Sequence, residues 1–228
     1  MAGKNDIQEA LHHIAGEILY DEPMSRHTSM NVGGVADALV LIENENQLME
    51  VVQRLKERKI DFFPAGNLTN VIVRDGGYRG AILLMTGMKE VTQESDELIS
   101  AQAGAALAKL VSFTATRELT GLEFCAGIPG SVGGAVWMNA GAYGKEMKDV
   151  LRTIFLLDSV GTKKTLNREE IIFHYRKTEL PSGAIIMGAQ FKLEKGERTQ
   201  IKEKIGEIMK SRQQKHPLEY PNAGSIFK

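Results

Sequence analysis

The sequence predicts an α+β fold made of small α/β lobes. Three long segments have apolar residues three or four positions apart, as amphipathic helices do, and shorter apolar runs bounded by turn residues have the length of strands. In the first part of the chain these segments follow one another as strand, helix, strand and strand, an order typical of an α/β lobe. With 228 residues, the chain is long enough to bury a core without disulfides or a structural metal.

The helices are predicted from this apolar spacing. The first begins at Asp6, where Asp6 and Glu9 form a capping-box-like pair. A shorter helix begins near Leu107 and stops near Gly121. The three long helices are predicted at 6–19, 44–59 and 199–212. The buried face predicted for the last of them consists of Ile201, Ile205, Ile208 and Met209.

Strands are predicted where short apolar runs lie between turn residues. Their ranges are 36–42, 60–63, 71–73, 81–85, 98–103, 153–157 and 184–193. From the order of these elements we predict a first lobe at 1–78, a second lobe at 79–213 and the beginning of a third lobe at 214–228.

The composition argues against several classes of protein. The chain has 28 basic and 29 acidic residues, which does not match the positive charge of a nucleic-acid-binding protein. It has no signal peptide and no apolar run long enough to span a membrane, so we expect a cytoplasmic protein. The five histidines lack ligand spacing, so no metal site is predicted. The single cysteine, Cys125, is predicted to be a small buried residue and not a nucleophile. The sequence makes no prediction of oligomeric state.

A glycine-rich segment at 121–144 is the most informative part of the chain. Seven of its 24 residues are glycine and four are alanine, yet apolar residues interrupt it, so it is not a flexible linker. A backbone without side chains can approach a ligand closely, and its N–H groups can surround a phosphate. The alternative is that these glycines only form tight turns between strands. The spacing of Gly127, Gly130 and Gly133 is not that of a Rossmann turn.

Three further segments are weaker candidates. The loop 64–70 lies between predicted strands and is a second small-residue loop, so the two loops together suit one extended dinucleotide. Arg176 would offer a planar fork to a carboxylate, although an isolated arginine is more often a solvated surface residue. Ser225 lies in a glycine-containing turn and suggests a proton donor or a plain turn residue, since no Gly-x-Ser-x-Gly motif surrounds it.

These segments together resemble the UDP-N-acetylenolpyruvoylglucosamine reductases, and the compact segment around Tyr175 is closer to their shorter, second type. The resemblance is collinear and covers nearly the whole chain. It is carried by the segments 27–37, 66–73, 77–80, 121–144, 175–176 and 217–227. It implies a fold of the vanillyl-alcohol-oxidase type, in which two α/β lobes hold FAD and a third lobe closes over the substrate.

The resemblance also implies a reaction in peptidoglycan precursor synthesis, and hence a part in cell wall biogenesis, cell shape and cell division. NADPH would reduce the FAD, and the reduced flavin would reduce the enolpyruvyl group of a UDP-sugar, giving UDP-N-acetylmuramate. By position, Tyr175 and Arg176 match residues that bind this substrate, and Arg176 also steadies the negative charge that develops next to the carboxylate. Ser225 matches the serine that protonates the substrate. The residues that match FAD contacts are Gly66, Asn67, Thr69, Asn70, Gly127, Gly130, Ser131, Gly133, Gly134, Ala140, Gly141 and Ala142.

The chain departs from the family pattern in two places. Leu68 stands where a glycine is usual; if that position needs a positive φ, Leu68 costs about 1 kcal/mol, and if it needs space, Leu68 weakens FAD binding. The chain also ends at Lys228, before most of the substrate lobe and its catalytic glutamate, so we expect that it does not complete the reaction alone. Two alternatives stay open: a non-catalytic remnant that binds flavin or has lost it, and another FAD oxidoreductase with the same two lobes.

Overall fold

The computed structural model describes residues 4–215, which form two compact units at 4–88 and 89–215. The first unit contains two helices, α1 (Lys4–Leu11) and α2 (Glu45–Glu57), and four strands, β1 (Ile18–Pro23), β2 (Val35–Leu41), β3 (Phe62–Ala65) and β4 (Tyr78–Leu84). Its sheet has the order β1-β2-β4-β3. β4 lies parallel to both β2 and β3, and β1 is antiparallel to β2.

Helix α2 begins and packs as its sequence indicates. The side chain of Asn44 accepts a hydrogen bond from the amide of Gln47 at 2.9 Å, which satisfies one free donor of the first turn. Leu48, Val51 and Leu55 are fully buried on one face. The predicted helix at 44–59 is therefore confirmed to within two residues at its C-terminal end.

The first predicted helix is wrong over its second half. α1 ends at Leu11, and from Ile18 the chain pairs with β2 as strand β1. Asp6 lies inside α1, so it does not cap the helix. The apolar spacing was misleading at Ile14. This residue lies in a loop but is buried, so its position in the sequence matches that of a buried helical residue.

The predicted strand at 71–73 is also absent, since this segment has no regular secondary structure. Val71 and Val73 instead pack against the buried cluster of the first unit. The amide of Gly34 donates a hydrogen bond to the carbonyl of Val73 at 3.2 Å, which holds the segment in place. The first unit continues past the predicted boundary at residue 78, because β4 pairs on both sides within the first sheet.

The second unit contains three helices and eleven strands. The helices are α3 (Leu107–Ala115), α4 (Val132–Trp137) and α5 (Arg198–Lys215). The strands are β5 (Val91–Gln93), β6 (Leu98–Gln102), β7 (Leu119–Thr120), β8 (Gly141–Ala142), β9 (Lys145–Glu146), β10 (Leu151–Leu157), β11 (Lys163–Asn167), β12 (Phe173–His174), β13 (Lys177–Thr178), β14 (Ile185–Lys192) and β15 (Glu194–Lys195). The five-stranded antiparallel sheet has the order β11-β10-β14-β6-β5.

The centre of this sheet forms the core of the second unit. Ala189 and Phe191 on β14 are fully buried, and helix α4 packs against this strand. Helix α5 continues to Lys215, past the predicted boundary at 213. Its buried face is narrower than predicted: Ile201 and Ile208 are buried, whereas Met209 is 38% exposed. Within residues 4–215, no helix has the length and hydrophobicity to cross a membrane.

Candidate functional site

The loop 66–70 follows strand β3 in the first unit. The side chain of Leu68 is 3% exposed and belongs to a buried cluster that includes Met24 and Ile82. Its backbone has φ +54°, in the left-handed region that favours glycine. Leu68 therefore adopts a backbone conformation that glycine adopts without strain. Because the Leu68 side chain points into the core, it does not occupy space at the surface of the loop.

The other residues of this loop lie at the surface, on either side of the buried Leu68. Gly66, Asn67 and Thr69 are half-buried and Asn70 is exposed. The amide of Ser29 donates a hydrogen bond to the carbonyl of Leu68 at 3.4 Å. The loop thus keeps accessible the four residues predicted to contact FAD.

The glycine-rich segment forms the short helix α4 in the second unit. Ser131 is its N-cap, and its side-chain oxygen accepts a hydrogen bond from the amide of Gly134 at 3.4 Å. The amide of Val132 donates to the carbonyl of Ala105 at 2.9 Å, and that of Gly133 donates to the carbonyl of Ala103 at 2.8 Å. The N–H groups of the first helical turn are therefore bound within the unit, which was not expected of a segment that surrounds a phosphate.

The glycines of this segment fall into two groups. A Cβ atom on Gly133 would lie 2.9 Å from the Cβ of Ala103, and one on Gly141 would lie 2.6 Å from the carbonyl oxygen of Lys145. Gly127 has φ +72° and lies against the side chains of α5. The packing and backbone of the second unit therefore explain why these three positions are glycine. A Cβ on exposed Gly134 would meet nothing nearer than the Ser131 hydroxyl oxygen at 3.5 Å, so the packing of described residues does not require this glycine.

Arg176 and Tyr175 form the turn between strands β12 and β13. Tyr175 is 69% exposed, and Arg176 is half-buried with φ +59°. Strand β13 is fixed to helix α4, because the buried hydroxyl of Thr178 donates a hydrogen bond to the carbonyl of Val136. The hairpin is therefore attached to the helix of the glycine-rich segment.

Asn139 joins this hairpin to the residues that follow α4. Its side chain is fully buried. Its Nδ2 donates to the carboxylate of Glu146 at 3.0 Å and to the carbonyl of His174 at 3.1 Å, and its Oδ1 accepts from the amide of Lys148 at 3.0 Å. The segment 139–148, which includes the predicted FAD contacts at 140–142, and the arginine hairpin are thus held together.

Glu146 is the acidic group that shares the Asn139 amide with the arginine hairpin. The hydrogen bond from Lys148 is the largest cause that lowers the pKa of Glu146, the bond from Asn139 adds to it, and the charges of Lys148 and Arg176 lower the pKa further. Glu146 is therefore a carboxylate at neutral pH, and its partners are Asn139 and Lys148.

Two other groups that could carry chemistry are structural. Cys125 is fully buried, and burial raises the pKa of its thiol far above the ordinary value, so the predicted small buried residue is confirmed. Burial alone would raise the pKa of Glu123 as well, but hydrogen bonds from Thr120 and the Gly121 amide and the charge of Lys204 lower it. Among residues 4–215, no group of His, Cys, Asp and Glu side chains is arranged to hold a metal ion.

The structure thus brings together part of the predicted site. The α4 segment, the residues 140–142 and the arginine hairpin meet around Asn139 in the second unit, while the loop 66–70 belongs to the first unit. Ser225 lies outside the described residues. Sequence reasoning missed Asn139 and Glu146 as site residues. The signal for Asn139 was present, since it is the single amide side chain in a segment rich in small and apolar residues.

Known sequences are similar to this chain over most of its length. A family model described as an FAD binding domain matches residues 36–167. The UDP-N-acetylenolpyruvoylglucosamine reductase of Syntrophus aciditrophicus is 48% identical over 219 residues, which are 94% of this chain and 70% of that protein. The reductase of Enterococcus faecalis is 42% identical over 212 residues, or 92% of this chain and 70% of its own length. The chain therefore spans about 70% of the length of these relatives.

Solved structures confirm the predicted α+β fold. A UDP-N-acetylenolpyruvylglucosamine reductase from Thermus caldophilus is similar with a TM-score of 0.79 and 29% identity, covering 93% of this chain and 74% of that one. A p-cresol methylhydroxylase shares the fold at a TM-score of 0.59 and 16% identity, over 84% of this chain and 43% of that one. By its identity to these reductases over most of their length, the chain belongs to the UDP-N-acetylenolpyruvoylglucosamine reductase family of oxidoreductases, with FAD and NADPH as cofactors.

Proposed function

We propose that this protein takes part in the FAD-dependent reduction of UDP-N-acetylglucosamine enolpyruvate by NADPH, which forms UDP-N-acetylmuramate for peptidoglycan synthesis in the cytoplasm. Family membership supports this reaction, because the relatives carry the name of this reductase. The observation that carries the proposal is the attachment of the arginine hairpin to the glycine-rich segment through Asn139. This attachment supports the proposal, because it joins the turn that carries Arg176 to the segment proposed to contact the cofactor.

The residues proposed to hold FAD are small or polar and are accessible at several points. Gly66, Asn67, Thr69 and Asn70 would contact the cofactor from the first unit. Gly127, Gly130, Ser131, Gly133, Gly134, Ala140, Gly141 and Ala142 would form the contact surface of the second unit. Exposed Gly134 supports this fit, because the packing of the second unit would allow a larger residue at this position, yet the residue is glycine. FAD, when bound, would supply the hydride chemistry that no side chain of the chain has.

Tyr175 and Arg176 are proposed to bind the enolpyruvyl end of the substrate. The guanidinium of Arg176 offers parallel N–H donors that match the two oxygens of a carboxylate, and its charge would stabilise the negative charge that develops on reduction. Exposed Tyr175 would add an aromatic face and a hydroxyl next to that arginine. Ser225 remains the proposed proton donor to the substrate carbon.

The proposed FAD surface is tested by two matched helix glycines. Gly134 in α4 and Gly206 in α5 are both exposed, and a Cβ on Gly206 would meet no atom within 4 Å. Either change to alanine should raise the stability by about 0.5–1 kcal/mol, because alanine favours the helix. Titration with FAD, followed by the flavin absorbance band, should show affinity at least about tenfold weaker for Gly134→Ala alone, a loss of about 1.4 kcal/mol.

The outcomes separate the candidate functions. Equal FAD affinity in both variants would contradict the placement of α4 against the cofactor. A wild-type protein that does not bind FAD would contradict the proposed function and favour a remnant that has lost its flavin. NADPH oxidation that depends on the UDP-sugar would separate this reductase from another FAD oxidoreductase with the same fold.

A further inference from the structure

We propose that Asn139 is the positioning residue of the arginine hairpin, and that Glu146, bound to the same amide, completes the network that keeps the turn carrying Arg176 in place for a carboxylate ligand. This inference rests on the proposed function, which assigns a carboxylate to Arg176. It adds two residues that would act on the ligand only through Arg176.

The first observation is that the side chain of Asn139 has no contact with solvent. Asn139 is fully buried, and each of its polar atoms has a partner in the described part of the unit. Its Nδ2 binds the carbonyl of His174, which lies two residues before Arg176. A buried amide with donor and acceptor both satisfied fixes the relative positions of the segments that it joins.

The residue type at this position is narrowly constrained. The backbone of Asn139 has φ +40°, which asparagine tolerates better than most residues. The side chain must donate to two acceptors and also accept from the Lys148 amide. Aspartate would keep the acceptor but lose the donor, and would bring a second carboxylate next to Glu146. Glycine would suit the backbone but make none of these bonds.

Glu146 is the second acceptor bound by the Asn139 amide group, beside the His174 carbonyl. Its Oε2 accepts from Asn139 at 3.0 Å and lies 2.6 Å from the ammonium nitrogen of Lys148. Its backbone is fixed as well, because the amide of Glu146 donates to the carboxylate of Asp149 at 2.8 Å. The carboxylate of Glu146 is therefore held at a defined place, on the same amide group that binds the hairpin carbonyl. The turn that carries Arg176 would then be ordered before a ligand arrives, which lowers the entropy that binding has to overcome.

The experiment compares Asn139→Ala, Asn139→Asp and Glu146→Gln with the wild-type protein. Asn44→Ala is the control, because it removes the cap of α2 in the first unit and lowers stability without a contact to the hairpin. Hydrogen exchange of the backbone amides at 174–178 is measured without any ligand. Affinity is then measured for two probes, UDP-N-acetylglucosamine enolpyruvate and UDP-N-acetylglucosamine, which lacks the carboxylate.

Both Asn139 variants should increase amide exchange at 174–178 by at least about tenfold, because the bond to the His174 carbonyl is lost. They should also weaken binding of the carboxylate probe by about tenfold and leave the other probe unchanged. Glu146→Gln should change both quantities less than the Asn139 variants do, since glutamine keeps an acceptor for Asn139. Asn44→Ala should change neither quantity.

Unchanged exchange at 174–178 in Asn139→Ala would overturn the positioning role. Equal loss of affinity for both probes would also overturn it, since this indicates general damage to the unit. If the wild-type protein does not prefer the carboxylate probe, the role of Arg176 in the proposed function fails. The exchange measurement, made without ligand, would then still decide whether Asn139 positions the hairpin.

Discussion

The carbonyl of Leu68 accepts a hydrogen bond from the amide of Ser29 at 3.4 Å, while the Leu68 side chain is buried in the core of the first unit. Leu68, whose backbone is left-handed, thus holds the loop 66–70 both through its carbonyl and through its side chain. The position is usually glycine in the family that the sequence resembles, and the glycine would allow the backbone but provide no anchor. In this chain the loop is attached to the hydrophobic core.

Leu68→Gly should therefore destabilise the protein, although it relieves an unfavourable backbone angle. The relief is worth about 1 kcal/mol, whereas loss of the buried side chain costs about 2–3 kcal/mol, and glycine adds about 0.5–1 kcal/mol of chain entropy in the unfolded state. Urea unfolding should show a net loss of about 2 kcal/mol from these three contributions. Leu68→Met, which keeps the anchor, is the control.

The same change tests the earlier expectation that Leu68 weakens FAD binding. Since the side chain points into the core, Leu68→Gly should loosen the loop and weaken FAD binding, provided that the titration is made well below the unfolding temperature. Tighter binding by the glycine variant would mean that Leu68 does occupy cofactor space.

Gly133→Ala and Gly134→Ala should change stability in opposite directions. A Cβ on Gly133 would lie 2.9 Å from the Cβ of Ala103, so helix α4 would have to move away from Ala103, the residue that follows strand β6. The cost of such overpacking is about 1–3 kcal/mol, whereas the exposed neighbour gains about 0.5–1 kcal/mol from helix propensity. Thermal unfolding of the two variants measures the difference. A destabilised Gly134→Ala would contradict the open space found beside this glycine.

The sequence predicted the elements whose pattern is local and missed those that depend on distant partners. Helix α2 was predicted because its cap and its apolar face lie within the helix itself. Strand β1 was missed because Ile18 is a strand residue only through its pairing with Val40. The glycine-rich segment was recognised, but the sequence did not separate Gly133, which packing requires, from Gly134. Asn139 was missed as a site residue, because its three side-chain partners lie 7 to 35 residues away, at distances that no periodicity reveals.

Glu123 should make the stability of the second unit depend on pH. Its folded-state pKa lies below the ordinary value of 4.5, so the unfolded state binds the proton more readily. The stability that it contributes is therefore fully present above pH 4.5 and is lost as the pH falls through the folded-state pKa. Urea unfolding between pH 3 and pH 7 should show a steeper loss for wild type than for Glu123→Gln. Parallel curves for the two proteins would show that other carboxylates account for the acid sensitivity.

Cys125 should react with a thiol reagent only when the second unit opens. Its side chain is fully buried, and burial raises the pKa of its thiol, so both access and the reactive thiolate form are suppressed in the folded protein. For an opening free energy of about 5 kcal/mol, labelling should be slower than that of a free thiol by more than about a thousandfold. The labelling rate is measured with a disulfide reagent. It should rise with urea concentration in parallel with the unfolded fraction. Fast labelling in native buffer would instead indicate local opening of the turn that carries Cys125. Because this turn is next to the segment proposed to contact FAD, added FAD should then slow the labelling reaction.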